Sequence, residues 1–367
     1  MSVASERRGC DRSVVSTRSR PPVKVALLGP VAWRTPPRAY GPWELVVSLL
    51  AEGLVAHGVD VTLFATLDSH TAATLDGVCP RPYNEDPVLD GRVWEALHVA
   101  HCLERSADFD LVHNHLDWLP LAMSGLCRSP MLTTVHGIGD PRILPAYRAS
   151  RSAFVSISDA DRVDGLTYLA TVHHGIDTAQ WPYEPRPGPG LVAVGRIHPD
   201  KATADAIEIA RRAGRRLTIC GPVQDDAYYT EQVAPWVDGD AVRYLGNVGG
   251  VQRAEVVGQA AALLHPLGFD EPFGLSVVEA MACGTPVVGY RRGALVETVT
   301  DGVTGFLVDN VDAAVSAVTL AVQLDRAAIA REARHRFGSD RMVADYLALY
   351  RSIVEASSVG GSGPNAS

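Results

Sequence analysis

Two hydrophobic patterns alternate along this chain: short runs that are apolar almost throughout, and longer stretches whose apolar residues recur three and four apart. Residues 23–28 (Val-Lys-Val-Ala-Leu-Leu) form the first such run and end at Gly29-Pro30, which reads as a buried strand followed by a loop. From about Trp43 to His57, Leu45, Val46, Leu49, Leu50 and Leu54 fall on one helical face, and Gly58 stops the helix. Residues 59–64 are the next strand. Strand, helix and strand in that order imply a parallel pair joined by a right-handed crossover. Further strands are predicted at 110–113, 131–135, 153–157 and 170–172, with helices fitting between most of them. This half reads as a doubly wound α/β unit.

Residues 181–190 break the pattern with four prolines and two glycines, a linker by composition. A second series follows, with strands at 191–194, 216–220, 242–245, 262–265, 286–288 and 305–308, and a helix at 203–213. The organisation is then a disordered extension over 1–22, an N-terminal Rossmann-like domain over 23–180, the linker over 181–190, and a C-terminal Rossmann-like domain over 191–338. A last helix over 339–356 is placed to pack back on the N-terminal domain, and a disordered tail covers 357–367. Two open parallel sheets put their ligand sites outside the carboxyl ends of the strands, so a cleft between them is where chemistry is expected.

Composition narrows the classes. A length of 367 residues suits two domains, because single cores stop growing near ~250–300 residues. The net charge of −9 gives no basic field for nucleic acid or an anionic membrane. The six cysteines (Cys10, Cys79, Cys102, Cys127, Cys220, Cys283) form no CxxC pair and no disulfide frame, so they read as free thiols in a reducing compartment, the cytoplasm. Residues 1–22 contain no apolar signal region, and no run approaches the ~20 apolar residues of a membrane span. No strongly basic amphipathic helix is visible either.

Four segments carry candidate chemistry. In Glu271-Pro272-Phe273-Gly274-Leu275-Ser276-Val277-Val278-Glu279, two carboxylates lie eight positions apart. Ser276 to Glu279 matches a capping box, which predicts a helix beginning at Ser276 with Glu279 in its first turn, and unpaired N–H groups near Gly274 and Leu275 that can face an anion. Gly195-Arg196, followed by Lys201, sits between a buried strand and a helix and offers two cations at a helix start, a good place for a diphosphate. It is neither a GxGxxG nor a Walker loop, which argues against NAD and NTPase chemistry. His136-Gly137 follows a strand and can reach the cleft, and Tyr40-Gly41-Pro42 leads into the first helix. Each segment also has a plainer reading: a cap, a solvated charge, two surface cations, a structural histidine or a turn. His113 and His115 fall on one face of a strand, without a third ligand at metal-binding spacing.

Taken together, and over residues 23–350, these segments resemble the retaining GT-B glycosyltransferases of family 4. The shared wording is the Gly41 loop, His136 at a strand end, Val-Gly195-Arg196-(x)4-Lys201, Glu271-(x)7-Glu279 within Glu-Pro-Phe-Gly-Leu, Ala282-Cys-Gly-Thr-Pro-Val287 and Asp301-Gly-Val-Thr-Gly-Phe-Leu307. The resemblance implies two Rossmann-like domains facing across a cleft and transfer of a hexose from a nucleotide-diphospho-sugar, a UDP-sugar first and GDP-mannose next. By the same resemblance the N-terminal domain would hold the acceptor, a sugar, lipid or small molecule, with a soluble one ranked above a lipid at a membrane, and the C-terminal domain would hold the donor. The resemblance implies that Arg196 and Lys201 neutralise the diphosphate, that Glu279 binds ribose hydroxyls and Glu271 sugar hydroxyls, and that backbone N–H groups at Phe273, Gly274 and Leu275 touch sugar and phosphate. His136 lies near the reacting carbon, and Gly41 and Gly195 lie against the donor. No metal and no cofactor are implied, because the cations take the metal's place.

Three departures stand out. Pro42 replaces a second glycine and has no N–H to offer. His174-Gly175-Ile176-Asp177 replaces Asn-Gly-Ile-Asp, and Ala202 replaces a glycine after Lys201. The competing readings are a sugar-nucleotide epimerase, or a phosphorylase of similar shape, and a non-catalytic nucleotide-sugar-binding protein on the same fold. Retention of Arg196, Lys201, His136, Glu271 and Glu279 argues against the last. The acceptor pocket is expected in N-terminal loops such as 30–40 and 137–147.

Overall fold

The structure is a computed structural model that describes residues 22–360, with side chains to residue 357. The extension predicted over 1–22, save its last residue, lies outside the described residues, as do Cys10 and positions 361–367 of the predicted tail. Two all-parallel sheets organise the chain. The first contains β1 (Lys24–Leu28), β2 (Asp60–Phe64), β3 (Thr74–Asp76), β4 (Leu111–Asn114), β5 (Met131–Val135), β6 (Ala153–Ser156) and β7 (Tyr168–Thr171), in the order β3-β2-β1-β4-β5-β6-β7. The second contains β8 (Leu191–Val194), β9 (Leu217–Cys220), β10 (Val242–Tyr244), β11 (Ala262–His265), β12 (Val287–Tyr290) and β13 (Gly305–Val308), in the order β10-β9-β8-β11-β12-β13. Of these strands only β3 is missing from the sequence reading. It is a three-residue edge strand with a single large apolar residue, Leu75.

The apolar runs are explained by burial on both faces of each sheet. In β1, Val25 and Leu27 enter one core while Ala26 and Leu28 enter the other. In β8, Leu191 and Ala193 enter one core and Val192 the opposite one. The first helix, Pro42–Ala56, has Pro42 at its first position, where a missing N–H costs the helix nothing.

The last helix, Ser339–Gly360, returns to the first sheet. Met342, Val343, Tyr346 and Tyr350 are buried there with Val25, Leu27, Leu50 and Leu111. The Tyr346 hydroxyl bonds Thr134 Oγ1 at 2.7 Å, and the Tyr350 hydroxyl bonds His113 Nδ1 at 2.6 Å. The chain thus crosses between the halves twice. The crossings touch: Ile176 N–H donates to the Phe337 carbonyl at 2.8 Å, and Ser339 N–H donates to the Ile176 carbonyl at 3.0 Å. The proline-rich segment 181–190 is strapped to the second half, with Trp181 in its core and Glu184 and Gly188 donating to Cys283 and Gln259.

Cys79, Cys102, Cys220 and Cys283 are buried and Cys127 is half-buried, all as free thiols. Among the described residues no single helix is long and apolar enough to cross a membrane. Ala202, at the start of helix Thr203–Arg212, has φ 46 and ψ 46, the left-handed conformation. It is the only non-glycine residue with positive φ among those described.

Two stability predictions follow. Tyr346→Ala should lower unfolding free energy by about 3–5 kcal/mol in chemical denaturation, as for other large-to-small changes in a packed core; a loss under about 1 kcal/mol would mean that the last helix is not part of that core. Ala202→Gly removes a Cβ that costs about 1–2 kcal/mol in the left-handed region and adds about 0.5–1 kcal/mol of glycine entropy. A net gain of roughly 0.5–1 kcal/mol is expected, and a thermal midpoint below that of the parent would refute the strain.

Candidate active site

Each sheet reverses its winding at one place, between β1 and β4 in the first and between β8 and β11 in the second. Crevices at such points collect ligands because loops on either side diverge in opposite directions. Here the two crevices face one another and enclose a cleft of about 530 Å³. The N-terminal wall includes Gly41, His136 and Asp161; the C-terminal wall includes Gly195, Arg196, Lys201, Glu271, Leu275 and Glu279. Of the site residues read from the sequence, Phe273 and Gly274 alone do not line it. Phe273 is 2% exposed and packs its ring against His174 and Phe337 in the core between the halves. Its neighbour Pro272 touches the N-terminal half: a Cβ on Gly137 would come within 2.7 Å of Pro272 Cγ, so the close approach there requires glycine. The Ser158 hydroxyl closes the same seam by donating to the Pro272 carbonyl at 2.7 Å.

The capping-box expectation is corrected. Gly274, at φ 87, is the residue that turns the loop into the helix Leu275–Ala282, so the helix begins one residue before Ser276. Ser276 is then its second residue, and Glu279 lies in the second turn, 3% exposed. Glu279 does not reach back to a cap; it accepts a hydrogen bond from Arg253 at 2.8 Å. A glycine able to adopt left-handed φ ends a loop more abruptly than a serine side chain can, which is why the local pattern misled. The free first-turn donors lie one residue beyond the expected Gly274 and Leu275, at Leu275 and Ser276, where backbone N–H groups have no intrahelical acceptor.

The cations of the cleft are matched to carboxylates, two of the three on other segments. Lys201 Nζ pairs with Glu271 and lies 4.5 Å from the centroid of Phe269. Arg196 bonds Gln224 and lies 3.6 Å from Asp200. Arg253 stands over Trp181 at 5.1 Å while holding Glu279. Burial raises the Glu279 carboxyl above its ordinary range, and Arg253 opposes the shift. Arg253 is a cleft residue that the sequence reading lacks. It lies 26 positions from its partner on the helix Gly250–Gln259, with no local motif to mark it. Lys201 is one of two lysines in the chain, the other being Lys24.

His136 sits within a chain of buried histidines. Its Nε2 bonds His115 Nδ1 at 3.0 Å and its Nδ1 bonds His174 Nε2 at 3.2 Å. His115 continues to His113 at 3.3 Å, and His113 to Thr134 at 2.8 Å. Burial pushes the His136 imidazole down to about 3, so it is neutral near pH 7 with both ring nitrogens engaged by protein. His113 and His115 do share a face, with ring centroids 4.1 Å apart. Asp161, also absent from the sequence reading, is pushed up to about 7 by burial, with Glu271 and Glu297 adding to the shift. Among the described residues no three His, Cys, Asp or Glu side chains group to hold a metal.

Comparison with known proteins bears on the fold and the family. The family described as Glycosyl transferases group 1 matches residues 184–340, and Glycosyltransferase Family 4 matches residues 43–187. A glycogen synthase of Mycobacterium tuberculosis is 29% identical over 84% of this chain and 90% of its own length. A D-inositol 3-phosphate glycosyltransferase of Actinosynnema mirum is 31% identical over 66% of this chain and 72% of its own. Among solved structures, sucrose-phosphate synthase from Thermosynechococcus elongatus superposes with a TM-score of 0.73 at 18% identity, over 91% of this chain and 100% of that one. AviGT4, a glycosyltransferase involved in avilamycin A biosynthesis, gives 0.68 at 24% identity over 91% and 99%. At these identities the solved structures speak for the fold, two Rossmann-like domains in the GT-B arrangement, while the sequence matches speak for the family. This chain belongs to the family 4, or group 1, glycosyltransferases.

Proposed function

We propose that the protein transfers a hexose, with retention of anomeric configuration and without a metal, from a nucleotide-diphospho-sugar to an acceptor hydroxyl. A UDP-sugar is the favoured donor, with GDP-mannose next. The observation that carries this reading is the convergence of Arg196, Lys201, Glu271 and Glu279 from one sheet and Gly41 and His136 from the other on a single cleft. The bond between the anomeric carbon and the diphosphate oxygen breaks, and its electron pair leaves with the diphosphate. The acceptor oxygen forms the new bond to the same carbon, on the same face, and the hydroxyl proton passes to the departing phosphate.

Charge grows on the diphosphate as that bond lengthens, so Arg196 and Lys201 act most strongly in the transition state. The first-turn N–H groups of Leu275 and Ser276 add donors at a helix start, where anions are favoured. Glu279, held by Arg253, is assigned to the ribose hydroxyls, and Glu271 to the hydroxyls of the transferred sugar. Neither His136 ring nitrogen is available for proton transfer, so His136 is assigned a positioning contact with the sugar rather than acid–base work. Pro42 removes one backbone donor from the N-terminal wall and puts more of the phosphate burden on the opposite wall. The free thiols fit the cytoplasmic location expected of the chain.

Arg196→Ala and Lys201→Ala should each reduce donor turnover by about 10²–10³-fold, the range for losing one preorganised electrostatic contact. Turnover within a few-fold of the parent would remove both residues from the diphosphate site. A second experiment offers UDP-, GDP- and ADP-glucose in parallel with EDTA present. The UDP-sugar should be used best, activity should stay within about two-fold of that without chelator, and proton NMR of the product should show the donor's anomeric configuration. A different preferred base, a metal requirement or inversion would each overturn its own part of the proposal.

A further inference from the structure

A second cavity, of about 190 Å³, bears on the acceptor. It lies in the N-terminal half, between the loop after β1, the first turn of the helix Pro42–Ala56 and the loop after β4, and Pro42 lines both this cavity and the main cleft. Trp43, in its wall, stacks on His136 with ring centroids 5.0 Å apart and planes 21° apart. The cavity therefore adjoins the proposed transfer site.

Its walls combine two kinds of group. Trp33, Trp43 and Trp118 supply indole rings, and Trp118 remains 46% exposed. Glu44, Glu95 and Asp117 supply carboxylates, each oriented by a protein donor. The Trp33 backbone N–H donates to Glu44 at 3.1 Å, the Tyr83 hydroxyl to Glu95 at 2.7 Å, and the Tyr147 hydroxyl to Asp117. No lysine, arginine or histidine is among the lining residues. Burial raises all three carboxyls above their ordinary range, Glu44 to about 7, without a cation beside any of them to oppose it.

Indole faces accept the C–H face of a sugar ring, and carboxylates accept hydrogen bonds from hydroxyl or ammonium groups. A phosphate ester placed here would face three carboxyl groups, with no lysine, arginine or histidine among the lining residues to neutralise it. We propose that this cavity is the acceptor subsite and that the acceptor presents to it an unphosphorylated sugar ring, neutral or amine-bearing. This rests on the transferase reading above, with the acceptor hydroxyl reacting as described there. It separates the chain from its inositol 3-phosphate-named relative, whose name specifies a phosphorylated acceptor.

The test uses matched pairs: glucose and glucose 6-phosphate, glucosamine and glucosamine 6-phosphate, myo-inositol and inositol 3-phosphate. Binding is followed by tryptophan fluorescence without donor, and transfer by kcat/KM with the preferred nucleotide-sugar. The unphosphorylated member of at least one pair should bind and be used at least about 10-fold better than its partner. Trp118→Ala, at an exposed position, should raise the acceptor KM by about 10-fold while the UDP-induced rise in thermal midpoint persists. Glu95→Gln should narrow the discrimination within each pair. A phosphorylated member that binds as well as its partner, no binding of any member at about 50 mM, or an unchanged acceptor KM in Trp118→Ala would overturn the proposal. Binding intact with no transfer from any donor would instead fault the transferase reading, because the fluorescence arm involves no donor.

Discussion

Cations gathered in a half-buried cleft repel one another and lose hydration, and the architecture of this cleft follows from balancing them. Lys201 is answered by Glu271, Arg253 by Glu279 and Arg196 by Asp200. Two of these pairs join separate segments. The loop after β8 is tied to the loop after β11, and the helix Gly250–Gln259 to the helix Leu275–Ala282. The charges therefore hold the loops that surround them. A residue such as Glu271 has a mechanical part in the cleft wall as well as any contact with a sugar.

The opposite wall is organised by different forces. His136 is held by hydrogen bonds to other imidazoles and by the stacked ring of Trp43, with no charge involved. The chain of contacts runs from His136 through His115 and His113 to Tyr350 on the last helix, so the wall of the cleft and the closing helix of the first sheet belong to one buried network. Pro272 meets this side at the seam beside Gly137 and Ser158. The cleft thus has one wall set by ion pairs and one set by packing.

Much of this was legible in the sequence for a simple reason: strands buried on both faces tend to be apolar runs, and β1, β8 and β11 are. The three-residue edge strand β3 has too little apolar content to announce itself. The loop residues that line the cleft were legible because they follow strands, and the resemblance supplied their grouping. What local pattern could not supply was anything that depends on distance along the chain. Arg253 meets Glu279 only in the folded protein. His174 and His136 are 38 positions apart yet bonded. The Ser276–Glu279 pattern failed because the conformation of one glycine, Gly274, moved the start of the helix, and no side-chain spacing encodes a φ angle. Ala202 is the converse case. The departure from glycine was visible, and the left-handed backbone it occupies was not.

The return of the last helix to the first sheet has a consequence for how the protein is made. Val25, Leu27, Leu50 and Leu111 are synthesised early, but Met342, Val343, Tyr346 and Tyr350 that cover them come from residues 339–360. On the ribosome, the first sheet must wait with one face incompletely covered while the whole second sheet emerges and can close around its own cores. The half of the molecule that is translated first is thus completed last.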